Sequence, residues 1–360
     1  MSRQITKVVI TLISTVSLLF LVTTLYLFNS KPLSAFGFPF SRGKPSHPKS
    51  NIRIYEPSTA HVLGQSVAYA TFLSTRVSND SEPDAYFTAT RVLAYQLLHQ
   101  PQTKSTRNIP LLVLVPPHVS DHKRSVLASE GATIVPISNL KPEKDWVGPT
   151  EPRWVDQFSK LQLWELDKYD RILYLDNDML LTQSLDPIFT LPVASTVLNT
   201  LKKAEVKADE ALLPSKYLMV GVSDTGGAEH PFPPEDRPGS SINGGFFLLR
   251  PDRKLFNYYL SVMEIEGRFD SGFMEQGLLN YAHRHDGNMP AKKFPPGEWN
   301  VNWPSLRDLE GGAASLHDKF WEEGNKKWID RTLVEMWWRV QGQMEGFWQK
   351  ERAPRRGRAE

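Results

Sequence analysis

Asp176-Asn177-Asp178 sets two carboxylates two residues apart, directly after the apolar run Ile172-Leu173-Tyr174-Leu175. In extended backbone, residues two apart point to one face, so Asp176 and Asp178 aim together and Asn177 aims away. Carboxylates held that close repel each other unless a cation lies between them. Hard divalent ions, Mn2+ or Mg2+, take oxygen ligands of this kind and keep free positions for a diphosphate. The sequence holds a single Asp-x-Asp, and its 360 residues include no cysteine. Thiol nucleophiles, disulfides, thiolate zinc sites and iron–sulfur clusters are thereby excluded together, and any metal must be held by oxygen and imidazole.

Three further groupings could carry chemistry. Ser241-Ile242-Asn243-Gly244-Gly245 precedes the strand-like Phe246-Phe247-Leu248-Leu249. Gly244 and Gly245 let backbone approach a ligand closely, and the Asn243 amide both donates and accepts hydrogen bonds. The same residues would also make an ordinary tight turn. Met274-Glu275-Gln276-Gly277 opens a helical stretch, where Glu275 and Gln276 could simply complement the helix dipole. Leu316-His317-Asp318-Lys319-Phe320-Trp321 brings imidazole, ammonium and indole into one loop-like segment.

The elements that must position these groups alternate. The run 67–73 reads as a strand, 84–99 as a helix, 111–115 as a strand, 121–130 as a helix and 133–137 as a strand. That order predicts parallel strands with right-handed helical crossovers, an α/β sheet covered on both faces. The spacing of Trp154, Phe158 and Leu161 predicts a helix over 153–168, followed by a buried strand over 171–175. Ligands of such sheets bind beyond the carboxyl ends of the strands, which is where Asp176 falls. The stretch 198–240, rich in Pro, Gly and charge, reads as a mobile insertion over the donor or acceptor site.

The chain ends are of a different character. Residues 8–28 form an uncharged apolar run preceded by Arg3 and Lys7. At about 1.5 Å per residue it would just cross a hydrocarbon core about 30 Å thick. Signal peptides have shorter apolar cores, so the run reads as an uncleaved signal-anchor with its short N-terminus in the cytosol. The expected organisation is a cytosolic segment 1–7, the anchor 8–28, a proline-rich stem 29–60, a catalytic domain 61–350 and a polar tail 351–360. Asn79-Asp80-Ser81 is a glycosylation sequon that suits a lumenal domain. The formal charge of +2 argues against a nucleic-acid partner.

Taken in order, Phe158-Ser159-Lys160-Leu161-Gln162-Leu163-Trp164-Glu165-Leu166, Leu175-Asp176-Asn177-Asp178, Asn243-Gly244-Gly245-Phe246, Glu275-Gln276-Gly277 and the His317 segment resemble the glycogenin-like proteins of glycosyltransferase family 8. The resemblance spans roughly 67–321. It implies a GT-A-type nucleotide-sugar fold and a retaining transferase that uses a UDP-sugar and Mn2+. By the same resemblance Asp176, Asp178 and His317 are metal ligands. Thr71, Leu73, Thr75 and Lys160 are nucleotide contacts, Asn243 and Gln276 are donor-sugar contacts, and Lys319 is a diphosphate partner. Asn177 stands where glycogenins carry a small apolar residue, which bears on sugar choice, and Gly244 belongs with the donor-binding set. Glu275 replaces an Asp, and the His317 segment lacks the Gly and Pro of the usual motif. Glu275 is the one carboxylate the sequence offers as a nucleophile for double displacement; front-face departure of the leaving group needs none.

The expectation is a type II membrane glycosyltransferase of the Golgi or endoplasmic reticulum lumen, acting on a glycan or glycoprotein. An inactive sugar-nucleotide-binding membrane protein and a metal-dependent diphosphate hydrolase are the alternatives.

Overall fold

Parallel pairing at the N-terminal half of the domain follows from the strand–helix alternation. Strand β1 (Ala60–Val62) folds back on β2 (Gln65–Phe72), and then come helix α1 (Ala85–Leu98), β3 (Leu111–Val115), α2 (Asp121–Ser129) and β4 (Thr133–Pro136). In this computed structural model, which describes residues 59–236, 239, 241–322 and 328–353, β2, β3 and β4 are parallel neighbours, and β5 (Arg171–Leu175) lies parallel to the other side of β2. Both crossover helices start where a side chain caps them. Asp84 accepts from the Phe87 amide and Ser120 from the Lys123 amide, each satisfying an otherwise orphaned N–H.

Past β5 the sheet becomes mixed. After the short strands β6 (Met179–Leu181), β7 (Leu198–Asn199) and β8 (Lys216–Tyr217) come β9 (Met219–Ser223), β10 (Ile242–Leu249) and β11 (Lys292–Lys293). The order across the sheet is β11-β9-β10-β5-β2-β3-β4, with β10 antiparallel to both β5 and β9. Alternation along the central strands feeds two cores. Leu173 and Leu175 join Tyr69 on one face, while Ile172 and Tyr174 meet Trp164 and Phe247 on the other. The Tyr174 and Phe247 rings stack 5.0 Å apart. Helices α3 (Arg253–Met263) and α4 (Met274–Ala282) pack on this second face.

A second, three-stranded sheet orders β12 (Val301–Asn302), β13 (Ser315–His317) and β6. It is covered by the long helix α5 (Arg331–Arg352), whose Leu333, Val334, Trp337, Val340, Met344 and Trp348 are buried.

Four sequence expectations change. The segment 153–168 is not an α-helix but two 3-10 stretches, Pro152–Trp154 and Gln157–Glu165. Seven consecutive residues from Phe158 to Trp164 are buried, so no single apolar face exists to impose the 3.6-residue period. Its polar side chains also bond the neighbouring loop, with Ser159 accepting from the Leu140 amide and Gln162 from the Ser138 amide. Asn243-Gly244-Gly245 lies inside β10, not in a turn before it, in the part where pairing with β9 shifts register. His317 lies on a strand rather than a loop. The described residues of 198–240 are tied to the domain rather than without elements, and Asp224 among them reaches the cleft. They carry β7, β8 and β9, and Glu210 among them accepts from the Tyr258 hydroxyl at 2.9 Å and from Tyr281 and Arg268.

Among the described residues no helix is long and apolar enough to cross a membrane. The expected cytosolic segment 1–7, anchor 8–28 and most of the stem 29–60 lie outside the described residues, as does most of the tail.

Candidate active site

Register brings the chemistry together. Phe246 pairs with Leu175, so Gly245 stands opposite Asp176, and its carbonyl accepts from the Asp176 amide at 2.8 Å. His317 pairs with Met179, the residue after Asp178. The carboxyl end of β5 and the last residue of β13 therefore meet. Asp176, Asp178 and His317 each offer one ligand atom, all within 4.8 Å of one another. The His317 Nε2 is 2.9 Å from Asp178 Oδ1 and 4.0 Å from Asp176 Oδ2.

Gly245 is what makes this approach possible. A Cβ there would run into the His317 ring and stand 2.8 Å from Asp176 Oδ2 and 3.0 Å from Asn243 Oδ1. Gly244 similarly lies against Gln276, whose Oε1 accepts from the Gly244 amide at 2.6 Å.

Cations surround the carboxylates. Lys319 Nζ is 2.8 Å from Asp178 Oδ2. Burial alone would raise the Asp178 pKa, but Lys319 and His317 hold it well below the usual carboxylate range. Burial likewise works against charge on Lys319 and His317, yet the facing carboxylates raise both pKa values. Lys160 is buried between two acids, 2.9 Å from Asp176 Oδ1 and 2.8 Å from Glu275 Oε1, and they keep it protonated against its own desolvation. One ammonium serves both carboxylates there, and burial raises the Glu275 pKa despite it. Tyr174 adds a 2.6 Å hydrogen bond to Asp176 Oδ1.

Two oxygens and an imidazole nitrogen in one small space form a donor set that suits a hard divalent cation. Asp178 Oδ1 is buried without a well-formed hydrogen bond even though His317 Nε2 faces it. A buried anionic oxygen faced only by an imidazole in this way is one that a metal ion would satisfy.

These groups line a cavity of about 400 Å3 together with Asp224, Asn243, Gly244, Gln276 and Asn302. Asp224 and Asn302 are not singled out by the sequence. Asp224 follows β9, and its Oδ1 accepts from the Asn302 amide at 2.8 Å. The Asn243 and Gln276 amides lie 3.4 Å from its Oδ2. A signal exists: Asp224 stands one residue past an apolar run, and Gly226-Gly227 follow it.

Other expected contacts lie elsewhere. Thr71, Leu73 and Thr75 are buried and do not line the cavity. The Thr75 hydroxyl donates to Asp84, which pairs with buried Lys123 at 2.9 Å. Asn177 turns away from the metal-type cluster and donates 3.0 Å to Thr90 Oγ1 on α1.

Residues 84–223 match the family described as Glycosyl transferase family 8. An uncharacterized protein of Schizosaccharomyces pombe is 30% identical over 314 residues, covering 79% of this chain and 82% of that one. Galactinol synthase 1 of Solanum lycopersicum is 26% identical over 66% of this chain and 73% of its own length. UDP-glucuronate:xylan alpha-glucuronosyltransferase 1 of Arabidopsis thaliana is 37% identical over 101 residues, which cover 27% of this chain and 14% of that protein. A strand-end carboxylate pair, an imidazole and an ammonium around one cleft are thus found in a glycosyltransferase. The chain belongs to glycosyl transferase family 8.

Proposed function

We propose that the protein transfers a sugar from a UDP-sugar to a glycan or protein acceptor, with retention at the anomeric carbon and with Mn2+ or Mg2+ held by Asp176, Asp178 and His317. The observation that carries this reading is the convergence of those three ligand atoms within 4.8 Å beside the Lys319 ammonium. A bound divalent ion supplies positive charge against the charge developing on a departing diphosphate. Lys319, kept protonated by Asp178, adds a fixed positive charge at the same place, and such preorganised charge acts strongly where water is excluded. Lys160 neutralises Asp176 and Glu275 and so fixes the orientation of both. Glu275 is 4% exposed and ion-paired. It acts as a positioning group, which favours departure and attack on one face of the sugar over double displacement. The name of the Arabidopsis relative, which specifies UDP-glucuronate, supports a UDP-sugar as the donor class.

Residues 8–28 suit a signal-anchor that holds the domain in the Golgi or endoplasmic reticulum lumen. Resistance of the full chain to carbonate extraction, with protease protection in sealed vesicles, is expected. Release as a shortened soluble form would contradict the anchor.

The function is tested by incubating the full chain in detergent with a panel of UDP-sugars and Mn2+. UDP release from at least one donor, lost in chelator and accelerated by an acceptor, is expected. No release from any donor would leave a binding protein, and release at full rate without acceptor would indicate a hydrolase.

A further inference from the structure

The residues lining the cavity divide sharply by chemistry. Among the described residues all its apolar side chains are aromatic: Trp154, Phe273, Trp303 and Trp328. The polar floor of Lys160, Asp178 and Glu275 is buried, whereas Phe273 is 48% and Trp328 41% exposed. Phe273 and Trp328 therefore stand at the outer part of the cleft, each beside a half-buried indole, Trp154 and Trp303 respectively. They are paired, with ring centroids 6.3 Å apart for Trp154 and Phe273 and 5.5 Å apart for Trp303 and Trp328.

Each pair is tied to a segment that carries site residues. Trp154 precedes the 3-10 stretch bearing Lys160, and Phe273 stands two residues before Glu275. Trp303 directly follows Asn302, the amide on Asp224. Its backbone is left-handed, with φ of 57°, a conformation in which a bulky residue is strained. That backbone is held between the His317 carbonyl, which accepts from the Trp303 amide, and His230, whose Nε2 lies 3.3 Å from the Trp303 carbonyl. The fold thus spends strain to set an indole beside the metal-type cluster.

We propose that this aromatic rim binds the acceptor and that the acceptor is a carbohydrate ring; this rests on the transferase reading above. The negative face of an aromatic ring attracts the weakly positive C–H groups on one face of a sugar, and stacked indoles cover that face while leaving the hydroxyl edges free. Those edges then meet the hydrogen-bonding groups at the same mouth, Glu151 and Arg153, which pair at 2.9 Å. A lipid chain would call for aliphatic walls, which the described lining residues do not provide. UDP brings one planar base, so two aromatic pairs leave at least one for another ligand.

The test is binding of maltose and lactose to the full chain in saturating UDP and Mn2+, read by saturation-transfer NMR and calorimetry, with a serine- and threonine-containing peptide as the competing class. A disaccharide should bind with its C–H face saturated, and Phe273→Ala and Trp328→Ala should each weaken it at least tenfold. Trp338→Ala removes an equally exposed indole (44%) that does not line the cleft, and should leave disaccharide affinity unchanged. Binding of the peptide but not the sugars would overturn the proposal, as would unchanged sugar affinity in both rim variants. So would a loss of UDP affinity with sugar affinity intact, which would assign the rim to the nucleobase. Because binding is read without turnover, the two failures are distinguishable: sugar binding without UDP release from any donor would remove the transferase reading and with it the acceptor role, whereas UDP release without sugar binding would overturn the rim assignment alone.

Discussion

Gly245→Ala is the smallest change that should dismantle the site while leaving its ligand residues in place. The added methyl group would collide with the His317 ring and lie 2.8 Å from Asp176 Oδ2. Ordinary contact needs about 3.4 Å or more, so at least one ligand must retreat by roughly 0.5–1 Å. Metal–ligand distances tolerate only about 0.2 Å, so the displacement is several times what the site can absorb. The expected loss is that of a principal electrostatic contributor, about 10²–10³-fold in turnover, or about 2.7–4 kcal/mol. Overpacking should cost about 1–3 kcal/mol of stability, so the variant should fold, with circular dichroism as the check. The assay is UDP release against Mn2+ concentration, where the variant should need far more Mn2+ for any given rate. Wild-type turnover at wild-type Mn2+ demand would refute the reasoning, since it would mean that the His317–Asp176 approach has no role.

Three other outcomes are expected. Lys319→Ala should weaken UDP binding by about 1.5–3 kcal/mol, the range for charged hydrogen bonds, and unchanged UDP affinity by calorimetry would remove Lys319 from the diphosphate site. Asn177→Ala should lower stability by about 1–2 kcal/mol through its lost bond to Thr90, with metal dependence per folded molecule retained; a lost Mn2+ response would show that Asn177 serves the site directly. His283 is buried, and desolvation lowers its pKa from 6.5 to about 4. The unfolded chain then binds the extra proton first, so stability present above pH 6.5 falls by about 3 kcal/mol as pH drops toward 4. Thermal unfolding between pH 7.5 and 4.5 measures this, and His283→Gln should remove that part of the slope; an identical slope in the variant would contradict it.

Much of the sheet is legible because its central strands are short and mostly apolar. The strand expected over 171–175 has its observed bounds, and the helix expected over 84–99 matches α1, which Asp84 caps. The 3-10 stretch over Gln157–Glu165 was misread because an element buried on every side carries no amphipathic period. The long helix α5 lies outside the expected elements, although Leu333, Val334, Trp337, Val340 and Met344 carry a helical repeat. At the site, Asp176 and Asp178 were visible through strand periodicity alone. The role of Gly245 and the meeting of His317 with Asp178 depend on register between strands far apart in sequence, which no local pattern encodes. Asp224 and Trp303 were missed for a related reason: one gains meaning from three converging amides, the other from a left-handed backbone.

The most direct test of the central claim is a Mn2+ titration of UDP release for the wild type and Asp178→Asn. Asparagine keeps the size of the side chain but removes one negative charge from the cluster formed with Asp176 and His317. The wild type should lose activity in chelator and regain it with Mn2+. The variant should turn over about 10²–10³-fold more slowly and be partly rescued by higher Mn2+. A wild type fully active in chelator, with Asp178→Asn equally active, would contradict a metal-assisted transferase at this site.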